Sequence, residues 1–487
     1  MNLSELIKSL KPSGENFVFP DFPIKGISCK SRETGPGFVF VAVKGAKHDG
    51  NKFIEEAVSL GSEAIVLKSE NRVFKIKEKN KIVFIEVADD RKALVDLACA
   101  FYGNPSAGMN VSGVTGTNGK TTITYLQEAV LKECGNAAGV IGTNNWRFKD
   151  KIISSGNTTP GPLELQLLFA QMRDSGVSHA LMEVSSHALD QGRVGRINFS
   201  SAIFTNLTQD HLDYHQNLEN YFLAKAKLFR GLSKDSWAVI NNDDPYGLRI
   251  KEFSRCGVIT YGIDSVCDVR AVNLNLSLAS SEFLLRTEKG AEKFKIGLIG
   301  RHNIYNVLAV FSWAVALGLD LEKAKNALEE FTSVPGRLER FDSSKGFIVF
   351  VDYAHTEDAL QNVLSALKQI HRGRIIVVFG CGGERDKSKR PKMGSVVSRL
   401  ADYAIITNDN PRSEDPEEII KNIKSGFTKD NFCVIFDRME AIREALLLAK
   451  QGDIVLVAGK GHEDYQVFKD KSEHFDDREA VRKCLPR

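Results

Sequence analysis

Apolar and polar positions change period repeatedly along this chain, and each change marks an element. The run F-V-F-V-A-V-K-G from Phe38 is rich in β-branched and aromatic residues and reads as a strand. A helical stretch follows from Lys52 to Leu60, then the strands A-I-V-L (64–67) and I-V-F-I-E-V (82–87). R-K-A-L-V-D-L-A-C-A-F-Y (91–102) has the apolar spacing of a helix, and G-N-P-S (103–106) breaks it. From Val111 to about Gly336, strands and helices alternate in the way that builds a parallel sheet. H-A-L-M-E-V (179–184) and S-A-I-F-T-N (201–206) read as its buried strands, with polar residues at their C-terminal ends, where open α/β sheets bind ligands. Residues 257–299 alternate apolar and polar positions instead, which predicts antiparallel strands appended to that sheet. S-V-P-G-R-L-E-R (333–340) reads as a linker. Beyond it, strands at 347–353, 374–380, 403–408, 432–436 and 453–459 alternate with helices in a second doubly wound sheet.

The expectation is therefore an α/β protein of three domains. A small α/β unit spans 1–103, a parallel-sheet unit with appended antiparallel strands spans 104–334, and a Rossmann-like doubly wound unit spans 335–487. A length of 487 residues suits several domains rather than one. Lysine plus arginine (65) nearly balance aspartate plus glutamate (62), so charge implies neither a nucleic-acid nor a membrane partner. The eight cysteines are scattered with no C-x-x-C pair, which suggests neither a zinc site nor a disulfide framework and fits a reducing cytoplasm. The N-terminal M-N-L-S-E-L-I-K-S-L lacks an apolar signal core, and no apolar run approaches the ~18 residues of a membrane span.

The chemistry is organised around V-S-G-V-T-G-T-N-G-K-T-T (111–122), a short run with Gly113, Gly116 and Gly119 that ends in Lys120, Thr121 and Thr122. Glycines let backbone amides turn onto phosphate oxygens, the lysine reaches the β- and γ-phosphates, and the following hydroxyl can hold Mg²⁺. Helix N-terminal amides then face the anion. The loop is a variant, because Val114 stands where the usual pattern has its first glycine. Gly116, Thr117, Asn118 and Gly119 form the cradle.

Other candidates are open on residue type alone. Glu183, at a strand end, is either a solvated charge or a Mg²⁺ ligand. T-N-L-T-Q-D-H-L-D-Y-H (205–215), with His211 among acidic residues, reads on residue type as a polar surface loop. In Y-F-L-A-K-A-K-L-F (221–229), Lys225 falls in the apolar sector and Lys227 points away. Lys225 either snorkels to water or, if desolvated, becomes a reactive amine. N-T-T-P-G (157–161) and D-N-P-R (409–412) taken alone are turns.

In combination these segments, with R-H-N-I-Y-N (301–306), G-R-L-E-R (336–340) and D-Y-A-H-T (352–356), resemble the Mur ligase family, which joins amino acids to peptidoglycan precursors with ATP. The resemblance covers essentially the whole chain and implies that the N-terminal domain binds UDP. S-R-E-T-G-P-G-F-V-F-V-A (31–42), G-C-G-G-E-R-D-K-S-K-R-P (380–391), D-N-P-R and G-K-G-H-E (459–463) resemble the branch that adds the third stem-peptide residue. The resemblance implies ATP and Mg²⁺ as cofactors, UDP-N-acetylmuramoyl-L-alanyl-D-glutamate and meso-2,6-diaminopimelate as partners, and a cytoplasmic monomer. It implies Thr121 and Glu183 at one Mg²⁺, His211 at a second, a carbamylated Lys225 whose oxygens ligate Mg²⁺, and Asn303, Arg337 and Asp352 at the nucleotide, with His355 beside them. For the muramoyl substrate it implies Ser31, Thr158, Thr159, Ser185, Gln191 and Arg193. For the amino acid it implies Arg385, Asp409, Asn410, Arg412, Gly459 and Glu463. Glu357 departs from the family, which commonly has proline there, and a local turn change is expected. Within the same class, folylpolyglutamate synthase shares the loop; a kinase is the alternative from another class.

Overall fold

The computed structural model describes residues 1–10, 19–45, 48–70 and 74–485. Three main sheets follow one another along the chain. The first has five strands in the order Gly26–Ser28, Phe38–Ala42, Ala64–Lys68, Ile82–Val87 and Lys75–Lys79. All pair in parallel except Lys75–Lys79, which closes the edge antiparallel. Helix Asp90–Phe101 covers this sheet with Ala93, Leu94 and Leu97, and Arg196 reaches across from the central unit to Asp96 at 2.6 Å.

The second sheet has eleven strands, and Asn110–Thr115 lies between Phe199–Phe204 and His179–Glu183 near its middle. After Asn110 every residue of that strand is buried, as expected where helices cover both faces. Gly113 belongs to this strand, against the Phe199 ring, and not to the phosphate loop. Val269–Leu276, Ser281–Thr287 and Gly290–Ile296 form the antiparallel extension. Gly257–Gly262, which the alternation of 257–299 had included in it, pairs in parallel with Trp237–Asn241 and belongs to the main sheet. Its buried half, Ile259 to Gly262, supports helix Arg301–Ala316, whose Trp313 is wholly buried with its indole N–H donated to Ser201. At the opposite edge, Asn145–Phe148 and Lys151–Ser154 add two antiparallel strands that their short, mixed sequences had not suggested.

The third sheet runs Glu339–Asp342, Ile348–Asp352, Ile454–Ala458, Ile375–Phe379, Tyr403–Ile406 and Phe432–Val434. The end of the segment read as a linker becomes its antiparallel edge strand, Glu339–Asp342. Among the described residues no helix is long and apolar enough to cross a membrane.

Candidate active site

The phosphate loop leaves the buried strand Asn110–Thr115 and enters helix Lys120–Glu133. Two of its glycines are required by geometry. Gly116 has φ +150°, and a Cβ there would lie 1.8 Å from Thr205 Oγ1. Gly119 has φ +91°, and its Cβ would meet Asn306 Oδ1 at 2.6 Å. The 205–208 segment braces the loop. Thr205 donates to the Asn118 carbonyl at 2.6 Å, Asn118 N–H donates to Asn206 Oδ1 at 2.9 Å, and Thr208 N–H donates to Thr117 Oγ1 at 3.0 Å. The stretch that residue type reads as a polar surface loop thus braces the phosphate loop.

Lys120 Nζ donates to the Gly116 and Thr117 carbonyls, each at 2.9 Å. Lys225, on helix Leu218–Arg230, donates to the same Gly116 oxygen at 2.9 Å and is 1 % exposed. Desolvation holds its amine well below the usual lysine range; Lys120 adds to this and Asp210 opposes it. Lys120 is also lowered by desolvation, against the pull of Glu183 and Asp210. Lys227 instead reaches Asp190 at the surface. The apolar-sector reading of Lys225 therefore holds, and snorkelling does not occur.

Glu183 is buried at its strand end and accepts from Thr143 N–H at 2.9 Å and Thr143 Oγ1 at 2.8 Å. Gly142 makes room, since a Cβ there would be 2.5 Å from Glu183 Oε1. No lysine or arginine forms an ion pair with Glu183 among the described residues. Thr121 Oγ1 accepts from Arg337 at 3.4 Å. His211 sits at φ +53°, with Asp210 at 3.4 Å and its ring against His187 at 4.9 Å. Desolvation lowers its pKa to about 4. Among the described residues no three His, Cys, Asp or Glu side chains form a metal cage. That suits Mg²⁺, which keeps several waters and takes one or two carboxylates plus phosphate oxygens. A hydroxyl at Thr121 and a buried, unneutralised carboxylate at Glu183 fit such an ion.

Thr159, Ser185, Gln191 and Arg193 form one hydrogen-bonded group. Thr159 Oγ1 accepts from Ser185 N–H at 3.0 Å, Arg193 donates to the Thr159 carbonyl at 2.9 Å, and its Nη2 reaches Gln191 Oε1 at 2.6 Å. Thr158 joins Glu183 through Thr143, with Thr143 Oγ1 at 3.0 Å. Ser31 stands apart and donates to Glu56 at 2.6 Å. Asn303 is buried, bonded to Ile299 and Asn306. Asp352 accepts from Leu338 and Ala354 N–H, both at 2.8 Å. Burial raises its pKa, opposed by Arg337.

Between the second and third sheets lies a cavity of about 1110 Å³. Asp210, His211 and Thr158 line it on the phosphate side. Arg385, Asp409, Asn410, Arg412, Gly459 and Glu463 line it on the other, with His355 among them. His355 Nδ1 donates to the Tyr353 carbonyl at 2.8 Å, which leaves Nε2 as an acceptor; burial pushes its pKa down to about 4. Arg412 sits at φ +54° and donates through Nη1 to the Gly383 carbonyl at 2.8 Å. Among the described residues it forms no ion pair. Glu463 accepts from Asn410 at 3.1 Å and from buried Lys460 at 3.3 Å, and burial raises its pKa. Burial also opposes the ionisation of Asp409, yet Lys460 and Arg438 hold it below the usual range. Sequence reasoning left Lys460 and Thr143 without a role. Lys460 was inside a quoted motif, and Thr143 follows strand Ala138–Ile141 at a C-terminal end, which was the available signal.

Residues 23–102 match the Mur ligase family catalytic domain, 114–314 the Mur ligase middle domain, and 336–461 the Mur ligase glutamate ligase domain. The UDP-N-acetylmuramoyl-L-alanyl-D-glutamate–2,6-diaminopimelate ligase of Clostridium botulinum is 43% identical over 490 residues, covering 100% of this chain and 99% of that protein. The chain belongs to the Mur ligase family. A solved UDP-N-acetylmuramoyl-L-alanyl-D-glutamate–2,6-diaminopimelate ligase superposes with a TM-score of 0.69 at 31% identity, over 98% of both chains. Folylpolyglutamate synthase of Mycobacterium tuberculosis, solved with ADP and AMPPCP, reaches a TM-score of 0.63 at 18% identity, covers 76% of this chain and 92% of its own, and shares the fold. Glu357 opens helix Glu357–Ile370 at the first helical position, capped by Thr356. Proline is tolerated there too, so the departure leaves the helix intact.

Proposed function

We propose that this Mur ligase joins meso-2,6-diaminopimelate to UDP-N-acetylmuramoyl-L-alanyl-D-glutamate, using ATP and Mg²⁺. The substrate carboxylate attacks the γ-phosphorus, giving an acyl phosphate and ADP; the incoming amine then attacks the acyl carbon and orthophosphate leaves. Negative charge gathers in both steps, so positioning and electrostatic stabilisation carry the catalysis. Lys120 leaves its loop carbonyls for the β- and γ-phosphates. Thr121 and Glu183 would hold one Mg²⁺ and His211 a second, with a carbamate on Lys225 supplying oxygens, and the metal would neutralise phosphate charge. A neutral, buried amine is the form of Lys225 that reacts with carbon dioxide. Gly116, Thr117, Asn118, Gly119 and Thr122 cradle the phosphates, while Asn303 lies on the adenine side and Arg337 and Asp352 contact the nucleotide near the hinge. Ser31, Thr158 and the group of Thr159, Ser185, Gln191 and Arg193 take the muramoyl dipeptide in the N-terminal and central domains. We place the domains at 1–103, 104–334 and 335–487 and expect a cytoplasmic monomer.

The observation that carries the choice of amino acid is Arg412, in the cavity wall with no carboxylate partner among the described residues. Diaminopimelate brings a second carboxylate at its far end and lysine brings none. A guanidinium grips that carboxylate with two parallel hydrogen bonds. Arg385, Asp409, Asn410, Gly459 and Glu463 complete the pocket. The test is ligation of a diamino-acid panel with purified UDP-muramoyl dipeptide and ATP, with orthophosphate measured alongside. Product with diaminopimelate and little with L-lysine is expected; equal kcat/KM for the two overturns the assignment. A kinase would release no orthophosphate, and a folylpolyglutamate synthase would ignore the muramoyl dipeptide.

A further inference from the structure

One carboxylate joins the phosphate loop to the C-terminal unit. Asp358, in the first turn of helix Glu357–Ile370, accepts through Oδ2 from three side chains. Asn118 Nδ2 at the tip of the phosphate loop lies at 3.0 Å, Thr208 Oγ1 at 3.0 Å, and Asn362 Nδ2 on its own helix at 3.2 Å. The first two donors belong to the central unit. The backbone of Asn118 is already committed there, its N–H to Asn206 and its carbonyl to Thr205 and Asn206. Its amide side chain points to the C-terminal unit. Thr208 lies two residues before Asp210 and three before His211, on the segment that braces the loop through Thr117. The same carboxylate lines the cavity in which the two half-sites face each other.

We infer that Asp358 is a positioning residue for the ligation. It couples the seating of the C-terminal unit to the geometry of the phosphate loop. Charge-assisted hydrogen bonds are about twice as strong as neutral ones, and here two of them converge on one oxygen from two loops of the opposite unit. If the C-terminal unit swings away, Asn118 and Thr208 lose this acceptor together. Seated, the unit holds the amino-acid pocket over the acyl phosphate and keeps water from it. Without that seating, water attacks the acyl carbon, the bond to the phosphate oxygen breaks, orthophosphate leaves and one proton passes to solvent, with no peptide formed. The inference rests on the ligation proposed above. A carboxylate in the first turn also favours its own helix through the dipole, so stability alone does not test the coupling.

The experiment compares the full-length enzyme with Asp358→Ala, Asp358→Asn and Thr208→Val, measuring orthophosphate and ligated product in the same reactions. Unmutated enzyme should give nearly one phosphate per product. Asp358→Ala and Thr208→Val should raise that ratio severalfold, and Asp358→Ala should lower kcat about tenfold, the loss expected for a hydrogen bond to a charged group. Asp358→Asn keeps an oxygen acceptor without the charge and should recover part of the coupling. A wild-type ratio in Asp358→Ala, or an Asp358→Asn variant no better than alanine, overturns the inference. If Asp358→Ala does not fold, Thr208→Val against the unmutated enzyme decides it by the same ratio. If the unmutated enzyme makes no product, the ligation itself fails. The latch is then read from the radius of gyration with a non-hydrolysable ATP analogue: a larger value for Asp358→Ala supports it and equal values overturn it.

Discussion

Two amines, Lys120 and Lys225, share one carbonyl oxygen of the phosphate loop, and no acidic side chain forms an ion pair with either among the described residues. That arrangement is costly for charge and favourable for reactivity, because burial stabilises the neutral amine. Lys225→Ala should reduce turnover by orders of magnitude, and short-chain carboxylates should restore part of it by supplying the missing oxygens. Near-wild-type turnover of Lys225→Ala in bicarbonate-free buffer would exclude a catalytic carbamate. The sign with pH follows from the lowered pKa. Acid protonates the amine and removes the carbamate, so activity should fall on acidification and recover with added bicarbonate at higher pH. Arg412→Ala should lose about a hundredfold in kcat/KM for diaminopimelate, the cost of leaving a charged group's partner unmet, and far less for L-lysine.

The phosphate loop works as an element because its backbone is fixed before any ligand arrives. Gly119 closes the turn in the left-handed region and caps helix Lys120–Glu133. Gly119→Ala adds about 1–2 kcal/mol of backbone strain and a methyl group against Asn306. Its KM for ATP should rise at least tenfold while the melting temperature falls by only a few degrees; an unchanged KM would show that the loop relaxes freely. In the third sheet, the fully buried pair Arg438–Asp477 at 2.7 Å ties helix Arg438–Leu448 to helix Asp477–Cys484, and Arg438 also donates to the Ala458 carbonyl at 3.0 Å. Arg438→Ala leaves Asp477 buried and unpaired. It should cost about 3–5 kcal/mol, read as a lower denaturant midpoint.

Across the whole molecule, polar contacts link the second and third units around the site. Asn118 and Thr208 bond Asp358, Arg337 reaches Thr121, and Asn144 donates to the Pro335 carbonyl at 3.2 Å. The seam also carries apolar packing, since Ile299 and Leu278 of the second unit lie against the third unit's core, and domains joined through such a mixed interface move relative to one another unless it is large and apolar. Saturating nucleotide with the muramoyl dipeptide should therefore shrink the radius of gyration in small-angle scattering. An unchanged value at saturation would count against a large closure.

Local patterns sufficed for much of this protein. Continuous apolar runs identified the buried strands, because a strand covered on both faces has no polar side to display. The glycine spacing identified the phosphate loop, because the required backbone angles are a property of a few adjacent residues. Edge strands were harder: Asn145–Phe148 and Lys151–Ser154 are short and half exposed, and Glu339–Asp342 hides in a linker-like segment. Gly257–Gly262 is parallel only because of where its neighbours lie, which no period encodes. The site depended on distance along the chain. Lys225 meets Gly116 across 109 residues and Asn118 meets Asp358 across 240. Hydrogen bonds between residues so far apart leave no local trace; the helical period marked Lys225 as the inward lysine, but only packing of the three sheets desolvates it and decides which arginine stays unpaired and which carboxylate faces the loop.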